Sequence, residues 1–319
     1  MKVLVSLNIP TIGIDMLRKA GLEVTVWTGE NPMSKEQLLE ATQKHDILLS
    51  TSSYKIGSAF LDSNKHLKLI SQFAAGYDNI DLKKATVLGI PVANTPNAMV
   101  NATADIAFAL LLAVSRKMFF MHKKICTNDW GPFRPQANLG MELKHKTVGI
   151  YGMGRIGTEF AKRCAGAYDM KILYHNRHRN KKAEEVLNAT YVSFDELLKQ
   201  SDVLSVHCAL TSETENIFNS DAFHKMKANS IFLNTARGRI HNETDLTKAL
   251  QEKIIWGAGL DVTNPEPMEA DNPLLQMENV AITPHIGSAT IEARNEMSRL
   301  AALNIIQFVQ GEPIKNRVV

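Results

Sequence analysis

The sequence predicts an α/β protein built from two doubly wound parallel sheets. Three observations carry this. Short runs rich in β-branched residues alternate with helical patterns along nearly the whole chain. Runs such as Val203-Leu204-Ser205-Val206 lack strict polar alternation, which suits strands buried on both faces. The length, 319 residues, allows about two domains at roughly 150 residues each.

In chain order, strands are expected at 2–6, 46–50, 67–72 and 91–93, with helices at 11–20 and 35–44 between them. A long apolar helix at 102–116 opens a second series. Its strands are expected at 147–151, 171–175, 203–207, 230–234, 257–261 and 280–283, with a helix fitting between each pair. A last helical pattern at 291–310 puts Ala293, Met297, Leu300, Ala301 and Ile305 on one face, and Gly311-Glu312-Pro313 ends it. Periodicity does not say where that helix packs.

Composition excludes several function classes. Apolar residues are 45% of the chain, enough to bury a core, so disorder is excluded as the main state. The net charge of +3 is too small for a surface devoted to nucleic acid. Cys126, Cys164 and Cys208 are scattered and odd in number, which fits reduced thiols and no cysteine-rich metal site. The longest apolar run, 106–114, has nine residues, whereas a membrane span needs about 20. The apolar start is too short for a secretory signal, and the expected setting is the cytoplasm.

The segment Val148-Gly149-Ile150-Tyr151-Gly152-Met153-Gly154-Arg155-Ile156-Gly157 is a strand running into a G-x-G-x-x-G turn, and a helical pattern at 158–165 comes next. Gly152 permits the tight turn, Gly154 lets a pyrophosphate approach the backbone, and Gly157 lets helix and strand pack closely. The helix N-terminus offers free N–H donors to phosphate, and Arg155 can add charge there. Another strand arrives about 20 residues later, the context that makes this motif a dinucleotide site. At the end of that strand, a carboxylate would bond a ribose 2′-hydroxyl. The sequence instead reads His175-Asn176-Arg177-His178-Arg179-Asn180-Lys181-Lys182, with no carboxylate. Arg177 and Arg179 are the leading ligands for a 2′-phosphate, with Asn176 able to bond the sugar, so NADPH is preferred and NADH is possible. A solvated basic loop is the bland alternative.

Three further residues stand past strand ends: Arg237 after 230–234, Glu266 in a proline-flanked loop after 257–261, and His285 after 280–283. Ligands of open α/β sheets bind at the carboxyl ends of strands, which is also where the glycine turn sits. Each residue alone could be a surface ion pair, a turn residue or a loop histidine; together at successive strand ends they suggest a site.

Taken in order, Ala74-Ala75-Gly76-Tyr77-Asp78-Asn79-Ile80-Asp81, Asn94-Thr95-Pro96, Gly152-Met153-Gly154-Arg155-Ile156-Gly157, Asn234-Thr235-Ala236-Arg237-Gly238, Leu260-Asp261-Val262-Thr263-Asn264-Pro265-Glu266-Pro267 and Pro284-His285-Ile286-Gly287-Ser288-Ala289 resemble the D-isomer-specific 2-hydroxyacid dehydrogenases. The resemblance covers essentially the whole chain and is strongest to the glyoxylate/hydroxypyruvate reductases. It implies a Rossmann dinucleotide-binding domain, 99–288, inserted into a flavodoxin-like substrate-binding domain, 1–98 and 289–319, with the catalytic cleft between them. It also implies a homodimer with the helix at 102–114 in its interface, although core burial would explain that helix equally well.

By the same resemblance, Arg237 binds the carboxylate and carbonyl oxygen of a small 2-oxo acid, and the N–H groups of Ala75 and Gly76 hold the carboxylate. His285 is the general acid, and Glu266 fixes its ring. Asp261 contacts the nicotinamide side, Thr235 and Ala236 approach its ribose, and Ile156 and Gly287 complete the cofactor contacts. Two departures stand out: Cys208-Ala209-Leu210-Thr211 lacks a proline that relatives often carry, and the loop Thr51-Ser52-Ser53-Tyr54-Lys55 matches no subgroup. Trp130 and Phe133, in a long irregular segment, are expected to pack locally, the alternative being that they reach a neighbouring active site. The alternatives are an NAD-linked relative, such as a D-3-phosphoglycerate or D-lactate dehydrogenase, and a dinucleotide-sensing protein like the corepressors of this fold. No metal, nucleic acid or membrane partner is expected.

Overall fold

Twelve strands form two separate parallel sheets in the computed structural model, which describes residues 1–319. The first sheet contains β1 (Lys2–Val5), β2 (Glu23–Val26), β3 (Ile47–Ser50), β4 (Leu69–Gln72) and β5 (Val92–Ala93), in the order β2-β1-β3-β4-β5. This is the flavodoxin-like winding. The second contains β6 (Thr147–Tyr151), β7 (Lys171–His175), β8 (Thr190–Tyr191), β9 (Val203–Val206), β10 (Ile231–Asn234), β11 (Gly257–Leu260) and β12 (Val280–Ile282). Its order, β12-β11-β10-β9-β6-β7-β8, is the Rossmann winding with one strand added beyond the sixth. The two doubly wound parallel sheets expected from the sequence are therefore present.

The chain divides into two compact units, Met1–Met99 with Ser288–Val319, and Val100–Gly287. In the first, helix Ile291–Val309 returns to the five-stranded sheet. Its Ser298 hydroxyl donates to the Pro10 carbonyl, and its Ala301 carbonyl accepts from Ser71 on β4. Thr290 caps this helix by accepting from the Ala293 N–H, a contact worth about 1 kcal/mol.

In the second unit, helix Val100–Ser115 packs on helix Arg155–Tyr168 and on β10, β11 and β12. Nine of its sixteen residues are buried there, so core burial accounts for most of its apolar surface. The exposed apolar surface lies just beyond it. All residues from 125 to 140 are exposed, and Trp130 and Phe133 retain 76% and 91% of their surface, so they do not pack locally.

Two strands were not expected. β2 lies at a sheet edge with alternately exposed and half-buried residues, and β8 is two residues long. Both exist by pairing, Lys2 with Glu23 and Leu173 with Thr190, and not by local apolar pattern. No helix is long and apolar enough to cross a membrane.

Candidate active site

The glycine turn connects β6 to helix Arg155–Tyr168. Gly152 adopts φ +100°, and a Cβ there would lie 2.5 Å from the Cys208 backbone nitrogen. Only glycine tolerates both conditions. Around Gly154, by contrast, nothing approaches a Cβ position within 4 Å, which leaves room for a phosphate at the helix N-terminus. Arg155 is exposed, Ile156 half-buried and Gly157 buried in the first helical turn. Burial pushes Tyr151 and Cys208 up to about 12, so both flank the turn uncharged.

Met153 is the residue that ties this turn to β7. Its N–H donates to Asn176 Oδ1 at 2.6 Å, and its carbonyl accepts from Asn180 Nδ2 at 2.9 Å and Asn176 Nδ2 at 3.3 Å. Asn176, expected to reach a sugar, also holds the turn through its amide. The basic segment beyond it is exposed at Arg177, His178 and Arg179. Its two arginines differ. Arg179 is bound to Glu184 through two hydrogen bonds, whereas Arg177 has no ion pair within the chain.

Arg237 leaves the end of β10 on a turn built by Asn234. The Asn234 side chain accepts from the Ala236 N–H at 2.9 Å and donates to the Arg237 carbonyl at 2.8 Å. Its second amide proton goes to His241 Nδ1 at 2.9 Å. His241 is fully buried, and burial lowers its pKa to about 4, so it stays neutral and can accept. Thr235, on the same turn, buries a hydroxyl with no partner in the chain. A Cβ at Gly238 would sit 1.9 Å from the Thr263 carbonyl oxygen, so the Arg237 turn lies directly against the loop that carries Glu266.

That loop is anchored by Glu243, which accepts from the Asn264 N–H at 2.8 Å and from Asn272 Nδ2 at 2.7 Å. It brings the Glu266 carboxylate into a hydrogen bond with His285 Nδ1. His285 itself sits at φ +53°, an unusual conformation for a non-glycine residue, held by bonds to the next two residues of its loop. Asp261, 1% exposed at the end of β11, accepts from the Ile286 N–H at 2.9 Å and the Gly287 N–H at 2.8 Å. It also accepts from the Thr283 hydroxyl at 2.6 Å, and the Thr103 hydroxyl donates to the Gly287 carbonyl at 3.0 Å. Burial holds the Asp261 carboxyl above the ordinary carboxylate range, opposed by these bonds. Asp261 and Gly287 therefore build the His285 loop, a role the sequence did not disclose.

Arg237, Glu266 and His285 thus leave three adjacent strands, β10, β11 and β12, on one edge. Asn234, His241, Met153, Asn180 and Thr103 were missed as supports, because their partners are set by the folded turns.

Ala75 and Gly76 lie in the other unit, half-buried after β4, and the Ala75 carbonyl accepts from Asn94 Nδ2 at 2.7 Å. Asn79 donates to the Tyr54 carbonyl at 2.8 Å and accepts from Gln72 at 3.0 Å, which fastens the loop after β3 to the loop after β4. Tyr54 is buried there, its hydroxyl donating to the Ser6 carbonyl at 2.9 Å.

The profile of the D-isomer specific 2-hydroxyacid dehydrogenases, NAD binding domain, matches residues 108–287. A glyoxylate reductase of Thermococcus litoralis is 43% identical over 99% of this chain and 96% of its own length. Among solved structures, the TT0316 protein from Thermus thermophilus superposes with a TM-score of 0.92 at 38% identity, covering 100% of both chains. A glyoxylate reductase from Paecilomyes thermophila superposes with a TM-score of 0.88 at 32% identity, covering 100% of this chain and 98% of that one.

Proposed function

Because this chain belongs to the D-isomer specific 2-hydroxyacid dehydrogenases, it is an NAD(P)-dependent oxidoreductase of a 2-oxo acid, and we propose that it reduces glyoxylate or hydroxypyruvate with NADPH as the preferred cofactor. The single observation that carries the assignment of roles is the Glu266–His285 pair standing beside the Arg237 turn on adjacent strand ends.

The residues present fit a dinucleotide. The open space at Gly154, the unpartnered Thr235 hydroxyl and the uncharged flanks of the glycine turn all suit its pyrophosphate and ribose. Gly152, Gly154, Arg155, Ile156 and Gly157 would hold the pyrophosphate, and Thr235 and Ala236 the nicotinamide ribose. The bound cofactor supplies the hydride. Arg237 binds the substrate carboxylate and polarises its carbonyl, with Ala75 and Gly76 N–H groups as further carboxylate donors. Glu266, an acceptor, keeps the proton on His285 Nδ1 and stabilises the charged ring. His285 then releases the proton on Nε2 to the forming alkoxide. We assign the unit Val100–Gly287 to the dinucleotide and the other unit to the substrate.

The exposed run at 125–140, with Trp130 and Phe133, supports a homodimer in which a second copy covers it. Its three free cysteines suit a cytoplasmic setting.

One observation favours a second reading, an NAD-linked enzyme. Glu184 neutralises one of the two arginines on which NADPH preference rests. Assaying glyoxylate, hydroxypyruvate, pyruvate and other 2-oxo acids with NADPH and NADH in parallel decides. A kcat/KM highest for glyoxylate or hydroxypyruvate with NADPH supports the proposal. A higher value with NADH on every acid overturns the cofactor assignment, and no turnover on any acid leaves a dinucleotide-sensing protein.

A further inference from the structure

The two arginines after β7 are equivalent in the sequence and unequal in the structure. Arg179 Nε and Nη2 donate to the two oxygens of Glu184 at 3.0 and 2.9 Å, the paired geometry in which a guanidinium binds a carboxylate most strongly. Glu184 lies in the first turn of helix Lys181–Leu187, and its side chain is only 20% exposed. The same carboxylate accepts from the Tyr174 hydroxyl at 2.5 Å. Tyr174 is fully buried and its hydroxyl accepts from the Asn180 N–H at 2.8 Å, so the carboxylate is anchored from inside the unit. The guanidinium in turn rests 5.7 Å from the centre of the Tyr191 ring. Arg177, two residues earlier, is exposed and has no such partner.

From this geometry we infer that Glu184 limits how strongly the chain discriminates NADPH from NADH, by holding Arg179 as a charge-matched pair and leaving Arg177 as the principal cation for a 2′-phosphate. The inference rests on the proposed NADPH preference and deepens it. The carboxylate acts in two ways. It cancels the charge of Arg179 near the sugar end of β7, and it would itself repel a phosphate dianion placed beside that arginine. Both partners respond as a matched pair should. Arg179 and then Tyr174 hold the Glu184 carboxyl below its ordinary range, and Glu184 raises the Arg179 guanidinium. The remaining cations of the segment, Lys181 and Lys182, are exposed on the helix start, where they act as mobile point charges.

The test uses the full chain and two small probes that differ only in the group at issue, 2′,5′-ADP and 5′-AMP, titrated by calorimetry. Wild type should bind 2′,5′-ADP more tightly than 5′-AMP. Glu184→Gln, which keeps an oxygen for Tyr174, should tighten 2′,5′-ADP by about three- to fivefold, the range one exposed charge pair is worth, and leave 5′-AMP unchanged. Arg177→Gln should weaken 2′,5′-ADP by about tenfold, as losing a charge-assisted phosphate bond does. Arg179→Gln alone should change it less than about twofold, and in the Glu184→Gln background it should abolish the gain. This single variant keeps the inference testable should Glu184→Gln fail to fold, which a melting curve reports. Weaker or unchanged 2′,5′-ADP binding in Glu184→Gln, with wild type still preferring that probe, overturns the role of Glu184 alone. A large loss in Arg179→Gln does the same. Equal binding of both probes by wild type overturns the NADPH preference and this inference with it.

Discussion

The carboxyl-terminal edges of the two parallel sheets are built from different chemistry. On the seven-stranded sheet the edge carries Arg237, Asp261, Glu266 and His285, ionisable groups on turns fixed by hydrogen bonds that Asn234 donates and accepts and that Glu243 and Asp261 itself accept. On the five-stranded sheet, Ser6, Thr51, Gln72 and Thr95 stand at or just past the ends of β1, β3, β4 and β5. All four are buried and neutral, and each leaves a side-chain oxygen without a partner in the chain. The same winding rule puts a ligand edge on both sheets, but it does not dictate what stands there. The roles proposed for the first edge, moving a proton and holding an anion by charge, use its ionisable groups. At the strand ends themselves, the other offers these neutral side-chain oxygens to orient a ligand.

The largest effect should come from removing the proposed proton donor. His285→Gln is expected to lower kcat by about a thousandfold, in the range of general acid catalysis, while calorimetry finds NADPH binding nearly unchanged. Full activity would end the distinction between the two edges. Next, Arg237→Ala should reduce kcat/KM for the oxo acid by about a hundredfold, through both a higher KM and a lower kcat. A change confined to cofactor affinity would contradict its place in the substrate site.

Asn234→Leu probes the support and not the reacting group. It strands the Ala236 N–H and His241 Nδ1, so unfolding stability should drop by about 2–4 kcal/mol in a denaturant titration, and KM for the acid should rise. An unchanged KM would mean that the turn holds without its asparagine. A milder pH effect comes from His241. Its pKa in the folded chain, about 4, lies below the ordinary 6.5, so the unfolded chain binds the proton more readily. Its contribution is present above pH 6.5 and is lost progressively as pH falls to about 4. Melting temperatures measured across that window should decline, and less steeply in His241→Leu. The smallest effect belongs to the other edge. Thr51→Val removes an unpartnered hydroxyl and should alter stability by less than about 1 kcal/mol in either direction. A loss as large as that of Asn234→Leu would show that this edge is as tightly organised as its counterpart.

Much of the architecture is legible in the chain itself, for identifiable reasons. Thr147–Tyr151 and Lys171–His175 are long apolar strands bounded by sharp turn signals, and their ends match the sequence reading. Glu23–Val26 and Thr190–Tyr191 are short, polar-flanked edges whose pairing partners lie outside any local window. Arg237, Glu266 and His285 could be picked out as neighbours because each stands past the end of a strand, and β10, β11 and β12 pair side by side. Arg177 and Arg179 could not be told apart, since Glu184 looks like an ordinary residue of a helical turn until the fold brings it back to β7.

Hydrophobic periodicity and glycine turns act over short stretches of chain, so the parallel α/β architecture and the residue types at the strand ends are already written in the amino-acid order. What each polar group holds is a property of the folded chain. Asp261 reaches Gly287, 26 residues on, and Asn234 reaches His241 across a turn. Such pairings depend on sheet register and loop closure, which bring together groups that local sequence keeps apart.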